Sequence, residues 1–161
     1  MTNLNYKTVQ DILEENTLLA FHDIATILLN TLTLLKGYHS NGHVYGYLTP
    51  ANVLISQDDK FIVELRDQVE HNVLPADLSG LELKSLLGLS PEHFNSGAKI
   101  DHRSDFYSLG YIAYCLLSRK DNPYSAETAS DLVNKIWEKP LPDPSSVNII
   151  TPEWMSSWFR S

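Results

Sequence analysis

Basic residues are scarce in this chain of 161 residues. Lys and Arg number 12 against 20 Asp and Glu, a formal net charge of −8, and the twelve are scattered. Phosphate backbones are bound by clustered basic stripes, so nucleic acid is excluded as the expected partner. A polyanionic membrane surface is disfavoured for the same reason. Cysteine is nearly absent: Cys115 stands alone. An intramolecular disulfide framework is thereby excluded, which suits a reducing compartment. No apolar run approaches the roughly 20 residues that span a bilayer. Residues 1–6 show no basic stretch leading into an apolar core, the mark of a secretory signal. Linkers, internal repeats and low-complexity segments are also missing, so residues 1–161 read as a single domain with a cytoplasmic setting. A hydrophobic content of 43% with 10% aromatics supplies an ordinary globular core.

The elements alternate plainly. A short helix is expected around Val9 to Leu13. From Leu18 to Tyr38 the residues Phe21, Ile24, Leu28, Leu32 and Leu35 recur every three or four positions, a helical face that Gly37 and Ser40-Asn41-Gly42 end. Val53-Leu54-Ile55 and Phe61-Ile62-Val63 flank a polar turn and predict a β-hairpin. Residues 65–89 predict a loop with one short helix. Ser90-Pro91-Glu92 has the cap, first-turn proline and acidic residue of a helix start. Asp105 to Ser118 is apolar on nearly every face, so it predicts a helix in the middle of a fold. Ser125 to Glu138 predicts an amphipathic helix with Leu132, Val133, Ile136 and Trp137 on one face. Pro140, Pro142 and Pro144 form a stiff connector, and Thr151-Pro152-Glu153 starts a last helix.

Three clusters within this order resemble the C-terminal lobe of a eukaryotic-type protein kinase. Tyr45 to Asn52 align without a gap on H-R-D-L-K-P-E-N, with Leu48, Pro50 and Asn52 matching. Leu89-Ser90-Pro91-Glu92 is similar to the A-P-E that closes the activation segment. Arg103 to Gly110 is similar to the R-S-D-x-Y-S-L-G of the central buried helix. The resemblance implies a mainly α (α+β) fold: a kinase-like C-terminal lobe with one small hairpin and no N-lobe. Its catalytic-loop equivalent is 43–55, its activation-segment equivalent 65–92 and its central helix 105–118. The wording of residues 89–94 and 101–117 also resembles the kinase-like region at the N-terminus of fungal hybrid histidine kinases, whose downstream sensor, histidine-kinase and receiver modules have no counterpart here.

Phosphoryl transfer is mostly positioning and charge neutralisation, and each part has a required residue. The resemblance places Tyr47 at the catalytic Asp and Thr49 at the catalytic-loop Lys. A phenol with an ordinary pKa of about 10 does not replace a carboxylate base near pH 7. D-F-G falls near Leu65-Arg66-Asp67, where Glu64 and Asp67 offer carboxylates outside that motif. Asn52 is the one metal ligand retained, and an Asn alone does not hold Mg²⁺. No Gly-rich loop and no V-A-I-K strand precede residue 17. The resemblance therefore implies a pseudokinase with no catalytic residue, no bound cofactor or metal, and no expected ATP binding. Its partner is a protein or a further domain of the same polypeptide, in signalling beside a two-component phosphorelay. Two alternatives stay open: an atypical serine/threonine kinase fragment that borrows an N-lobe, and a truncated fragment with no independent role.

The retained motif residues Pro50, Asn52, Pro91, Glu92, Asp105 and Gly110 read as scaffold. By the resemblance, Asp105 receives backbone N–H groups of the catalytic loop. Glu92 lacks the Arg that follows the last helix in kinases, with Arg160 as a substitute. His39 and His43 are four apart but read as a solvated, turn-borne pair, not a metal site. Cys115 reads as a buried, inert thiol. Trp154 and Trp158, at i and i+4, read equally as core or as an exposed contact face. Glu14-Glu15 and Asp58-Asp59 read as solvated turns.

Overall fold

Twenty residues of helix with no proline organise one half of the molecule. The computed structural model describes residues 5–58, 60–66, 80–143 and 146. Strand β1 (Tyr6–Thr8) runs directly into α1 (Val9–Glu14), followed by the long α2 (Phe21–Ser40). Then come β2 (Val53–Ser56), β3 (Val63–Leu65), α3 (Leu83–Leu86) and a 3₁₀ turn at Pro91–Phe94. The central α4 (His102–Ser118) and α5 (Ala129–Glu138) complete the order. The connector residues beyond Asp143 and the helix expected from Thr151 lie outside the described residues, Ser146 apart.

Capping accounts for the first elements. Thr8 ends β1 and caps α1: its Oγ1 accepts the Asp11 N–H at 3.0 Å, and its own N–H donates to Asp11 Oδ2 at 2.8 Å. Helix α2 starts where Ala20 N–H donates to Asp23 Oδ2 at 3.0 Å. It runs through Gly37 and stops at Asn41 and Gly42, whose φ of 75° suits glycine. Its buried stripe is Ile24, Ile27, Thr31 and Leu35. That corrects the expected face: Leu32 is exposed, because the stripe steps by three, four and four from Ile24.

The hairpin is part of a larger sheet. β1, β2 and β3 form a three-stranded antiparallel sheet in that order, with Tyr6 opposite Ser56 and Val53 opposite Leu65. The sequence did not reveal β1, because Tyr-Lys-Thr is too short for an alternation to register. The third strand begins at Val63, not Phe61, since Phe61 has a φ of 47°. The turn is fixed by Ser56, whose Oγ accepts the Ile62 N–H at 2.8 Å. Val53, Ile55 and Val63 face the core.

Helix α4 begins at His102, three residues before the expected start, because Asp101 caps it by accepting the Arg103 N–H at 2.9 Å. Every residue from Tyr111 to Ser118 is buried. One face, with Ile112, Leu116 and Leu117, packs with α1, α2, β2 and β3. The other, with Tyr111, Tyr114 and Cys115, packs with α3 and α5. Each such side chain contributes about 1.5–3 kcal/mol by leaving water. Helix α5 begins at Ala129, four residues later than expected. Asn122 holds residues 122–126 as a turn, donating to Ala126 O at 2.7 Å and accepting its N–H at 3.1 Å. Its buried face is Ala129, Leu132 and Ile136, whereas Trp137 is exposed, correcting its expected place on that face.

Candidate functional site

The segment from His43 to Asn52 has no regular secondary structure, so side chains from elsewhere set its path. Asp105, 1% exposed on the first turn of α4, is the chief of these. Its Oδ2 accepts the Tyr45 N–H at 2.9 Å and its Oδ1 accepts the Gly46 N–H at 2.6 Å. His39 Nε2, at the last turn of α2, lies 2.8 Å from Oδ2. A carboxylate taken from water is tolerated when donors surround it in this way. His39 is therefore not a solvated turn residue, as the sequence suggested: it is in the helix and packed on α4. His43 is exposed and takes no part.

A second histidine engages the same residue, Gly46, through its carbonyl. His93, on the 3₁₀ turn, has Nε2 2.5 Å from the Gly46 carbonyl oxygen and Nδ1 2.9 Å from Ser90 Oγ. A carbonyl only accepts, so Nε2 carries the proton and donates. Gly46 itself has a φ of 78°, a conformation side chains resist. Sequence reasoning missed both contacts, because Asp105 and Gly46 are 66 and 47 residues from their histidine partners.

Tyr47 is half-buried against the second core, its ring centroid 6.1 Å from that of His93. Burial pushes its phenol above the usual value. Thr49 is buried, and its carbonyl accepts the Asn52 N–H at 3.0 Å. Asn52 Nδ2 donates to the Tyr47 carbonyl at 2.8 Å, bracing the loop before β2. The Pro50 carbonyl accepts the Gln10 N–H of α1 at 3.0 Å. Gly88 lies behind it at a φ of 95°, where a Cβ would stand 3.3 Å from Pro50 Cδ.

Glu92 follows Pro91 at the start of the 3₁₀ turn. Its Oε2 is buried without a hydrogen-bond partner among the described residues. The Asp101 carboxylate first, and the Glu92 charge last, raise the Arg103 guanidinium. Arg103 itself is clamped by Asp101, Nε and Nη2 both reaching that carboxylate. Gly110 has open space where a Cβ would stand. Asp67, Trp154, Trp158 and Arg160 lie outside the described residues.

A divalent cation is what a kinase-like loop would hold, and among the described residues no carboxylate set stands ready to take one. Glu64 faces away from the core and accepts the Tyr6 hydroxyl at 2.7 Å across the sheet. No three His, Cys, Asp or Glu side chains gather as a metal set among the described residues. Cys115 is buried, which raises its thiol and leaves it protonated at neutral pH. No helix among the described residues is long and apolar enough to cross a membrane.

No protein-family model matches the chain. Its curated relatives include serine/threonine protein kinases of bacteria. It is 30% identical over 143 residues, 87% of its length, to the serine/threonine-protein kinase PknL of Mycobacterium tuberculosis. It is 30% identical over 121 residues, 71% of its length, to the DNA damage-responsive serine/threonine-protein kinase RqkA of Deinococcus radiodurans. A protein of Clostridium acetobutylicum described as a probable serine/threonine-protein kinase is 27% identical over 157 residues, 91% of the chain. The chain spans 35%, 17% and 23% of those relatives respectively. These likenesses support a protein-kinase-like domain, about half helical with a small antiparallel sheet.

Proposed function

We propose that the chain is a kinase-like C-terminal lobe that keeps the backbone path of the catalytic loop without its chemistry. It serves as an interaction or regulatory module in intracellular signalling, binding a protein or another domain of its own polypeptide. Tyr47 is the observation that carries this reading. By the resemblance it stands where kinases place the carboxylate that accepts the proton of the substrate hydroxyl. Its phenol is raised above about 10 by burial, so it is protonated at pH 7 and offers no base. Thr49 adds to this, since an uncharged, buried hydroxyl does not replace the lysine that faces the transferred phosphate.

The test is a thermal melt of the purified chain with and without Mg-ATP. A ligand at 100 times its Kd stabilises by about 2.7 kcal/mol. A cooperative melt that nucleotide leaves unmoved is the expected result, and a clear upward shift overturns the reading.

The names of the relatives favour a second reading, an atypical serine/threonine kinase fragment working with an N-lobe from elsewhere. It predicts Mg-nucleotide binding that Asn52→Ala abolishes. A place in a hybrid histidine kinase, and so beside a phosphorelay, rests on the wording of residues 89–94 and 101–117 alone. A truncated fragment with no role of its own predicts a chain that melts without cooperativity and aggregates.

A further inference from the structure

His39 and His102 stand side by side where the last turn of α2 meets the first turn of α4, ring centroids 6.0 Å apart. Asp105 fixes the state of the first ring. Its carboxylate accepts the His39 Nε2–H at 2.8 Å, so in the neutral imidazole Nδ1 keeps its lone pair. That nitrogen makes no hydrogen bond among the described residues, and the side chain is 17% exposed. A histidine that gives one N–H to a carboxylate and leaves its other nitrogen open has the arrangement of a metal ligand, the carboxylate raising its basicity.

Distance and charge suit a shared ion. Zinc binds an imidazole nitrogen at about 2.1 Å, about 3.2 Å from the ring centre, so two rings reach one ion when their centres lie within about 6.4 Å. A tetrahedral angle asks for about 5.2 Å, and His102 can supply the difference. It is exposed and makes no hydrogen bond among the described residues, so its ring is free to turn. Behind His39, Asp105 is a buried carboxylate that no Lys or Arg pairs with among the described residues. An ion on Nδ1 sets positive charge against it through the imidazole. Phe106 lies against both rings, centroids 5.4 and 6.0 Å away, an apolar wall on one side. Asp101, which precedes His102, is held by Arg103 and adds no third side chain.

We propose that His39 Nδ1 and His102 bind one divalent transition-metal ion of the imidazole-preferring class, with water completing its coordination. The ion would join α2 to α4 directly beside the Asp105 hub. The sequence offers His43 as the neighbour of His39, but it is exposed beyond the Asn41-Gly42 turn, and the fold brings His102 to the ring instead. The inference is independent of whether the chain binds nucleotide or transfers phosphate.

Isothermal titration of the purified chain with Zn²⁺ at neutral pH tests it. One ion per chain is expected to bind. His102→Ala, a change at an exposed side chain, is expected to weaken that binding about tenfold or more. His43→Ala, equally exposed, is expected to leave it unchanged. Zn²⁺ is expected to raise the melting temperature of the natural chain and not that of His102→Ala, since an ion held by the folded state stabilises by mass action. In NMR spectra the ring signals of His39 and His102 are expected to move together as Zn²⁺ is added. No binding, binding indifferent to His102→Ala, or an equal loss in His43→Ala overturns the proposal, the ion then being adventitious. So does movement confined to the ring signals of other histidines. Sedimentation in which Zn²⁺ pairs two chains also overturns it, because the ion then lies between molecules.

Discussion

Asp105 and His39 are 66 residues apart in the chain and 2.8 Å apart in the fold, and the carboxylate of the pair is almost fully enclosed. The backbone N–H groups of Tyr45 and Gly46, in the irregular segment before β2, end on the same carboxylate. One buried side chain thus ties α2, α4 and an irregular loop together.

Replacing Asp105 by Asn keeps the volume but sets an NH₂ group against backbone donors. The expected loss is about 2–4 kcal/mol of unfolding free energy, the range for a buried charged acceptor left mismatched. Urea unfolding of the two proteins measures it. His39→Gln, which keeps a donor near the carboxylate, is expected to lose less.

The glycines separate by geometry. Gly88 has a positive φ and Pro50 close by, so Gly88→Ala is expected to cost about 1–2 kcal/mol. Gly110 is inside α4 with room for a methyl group, so Gly110→Ala is expected to stabilise by about 0.5–1 kcal/mol. Opposite shifts of the thermal midpoint check both.

Acid weakens the start of α4 through Asp101. The Arg103 side chain and N–H hold this carboxyl down to about 2 in the folded chain. A lowered folded pKa means that its contribution is complete above the ordinary carboxylate value near 4. That contribution is lost as pH falls from about 4 towards 2. Asp101→Asn is expected to flatten the stability–pH curve in this window, read by urea midpoints at a series of pH values.

Cys115 gives a covalent readout of the fold. Burial keeps its thiol protonated and out of reach, so iodoacetamide at pH 8 is expected to leave the native chain unlabelled. Labelling in denaturant proceeds, and mass spectrometry distinguishes the two.

The helices were legible in the sequence because each has its own period. Residues 106–117, apolar all round, could only be central, and α4 is. What the sequence hid depends on contacts made across the fold. The stripe of α2 was misread by one position at Leu28 and Leu32, because Ile27 is as apolar as Leu28 and the polar Thr31 is buried in place of Leu32, its hydroxyl donating to the Ile27 carbonyl at 2.8 Å. β1 was invisible because its three residues need β2 to become a strand. Asp105 was identified as a scaffold residue through a resemblance. His93 and Gly46 carry no local signal that one donates to the other. Trp137 looked like core from its spacing and faces solvent, since α5 buries a narrower stripe than its pattern offers.

Helix α4 has a further consequence. Tyr111 and Ile112 are adjacent in sequence yet belong to different apolar clusters, one on each side of the helix. Neither half can open without baring one flank of α4 to water, so the two are thermodynamically coupled through its backbone. The amides of residues 111–117 are therefore the slowest clock in the molecule: they exchange with solvent on the timescale of whole-chain unfolding, whichever half loosens first.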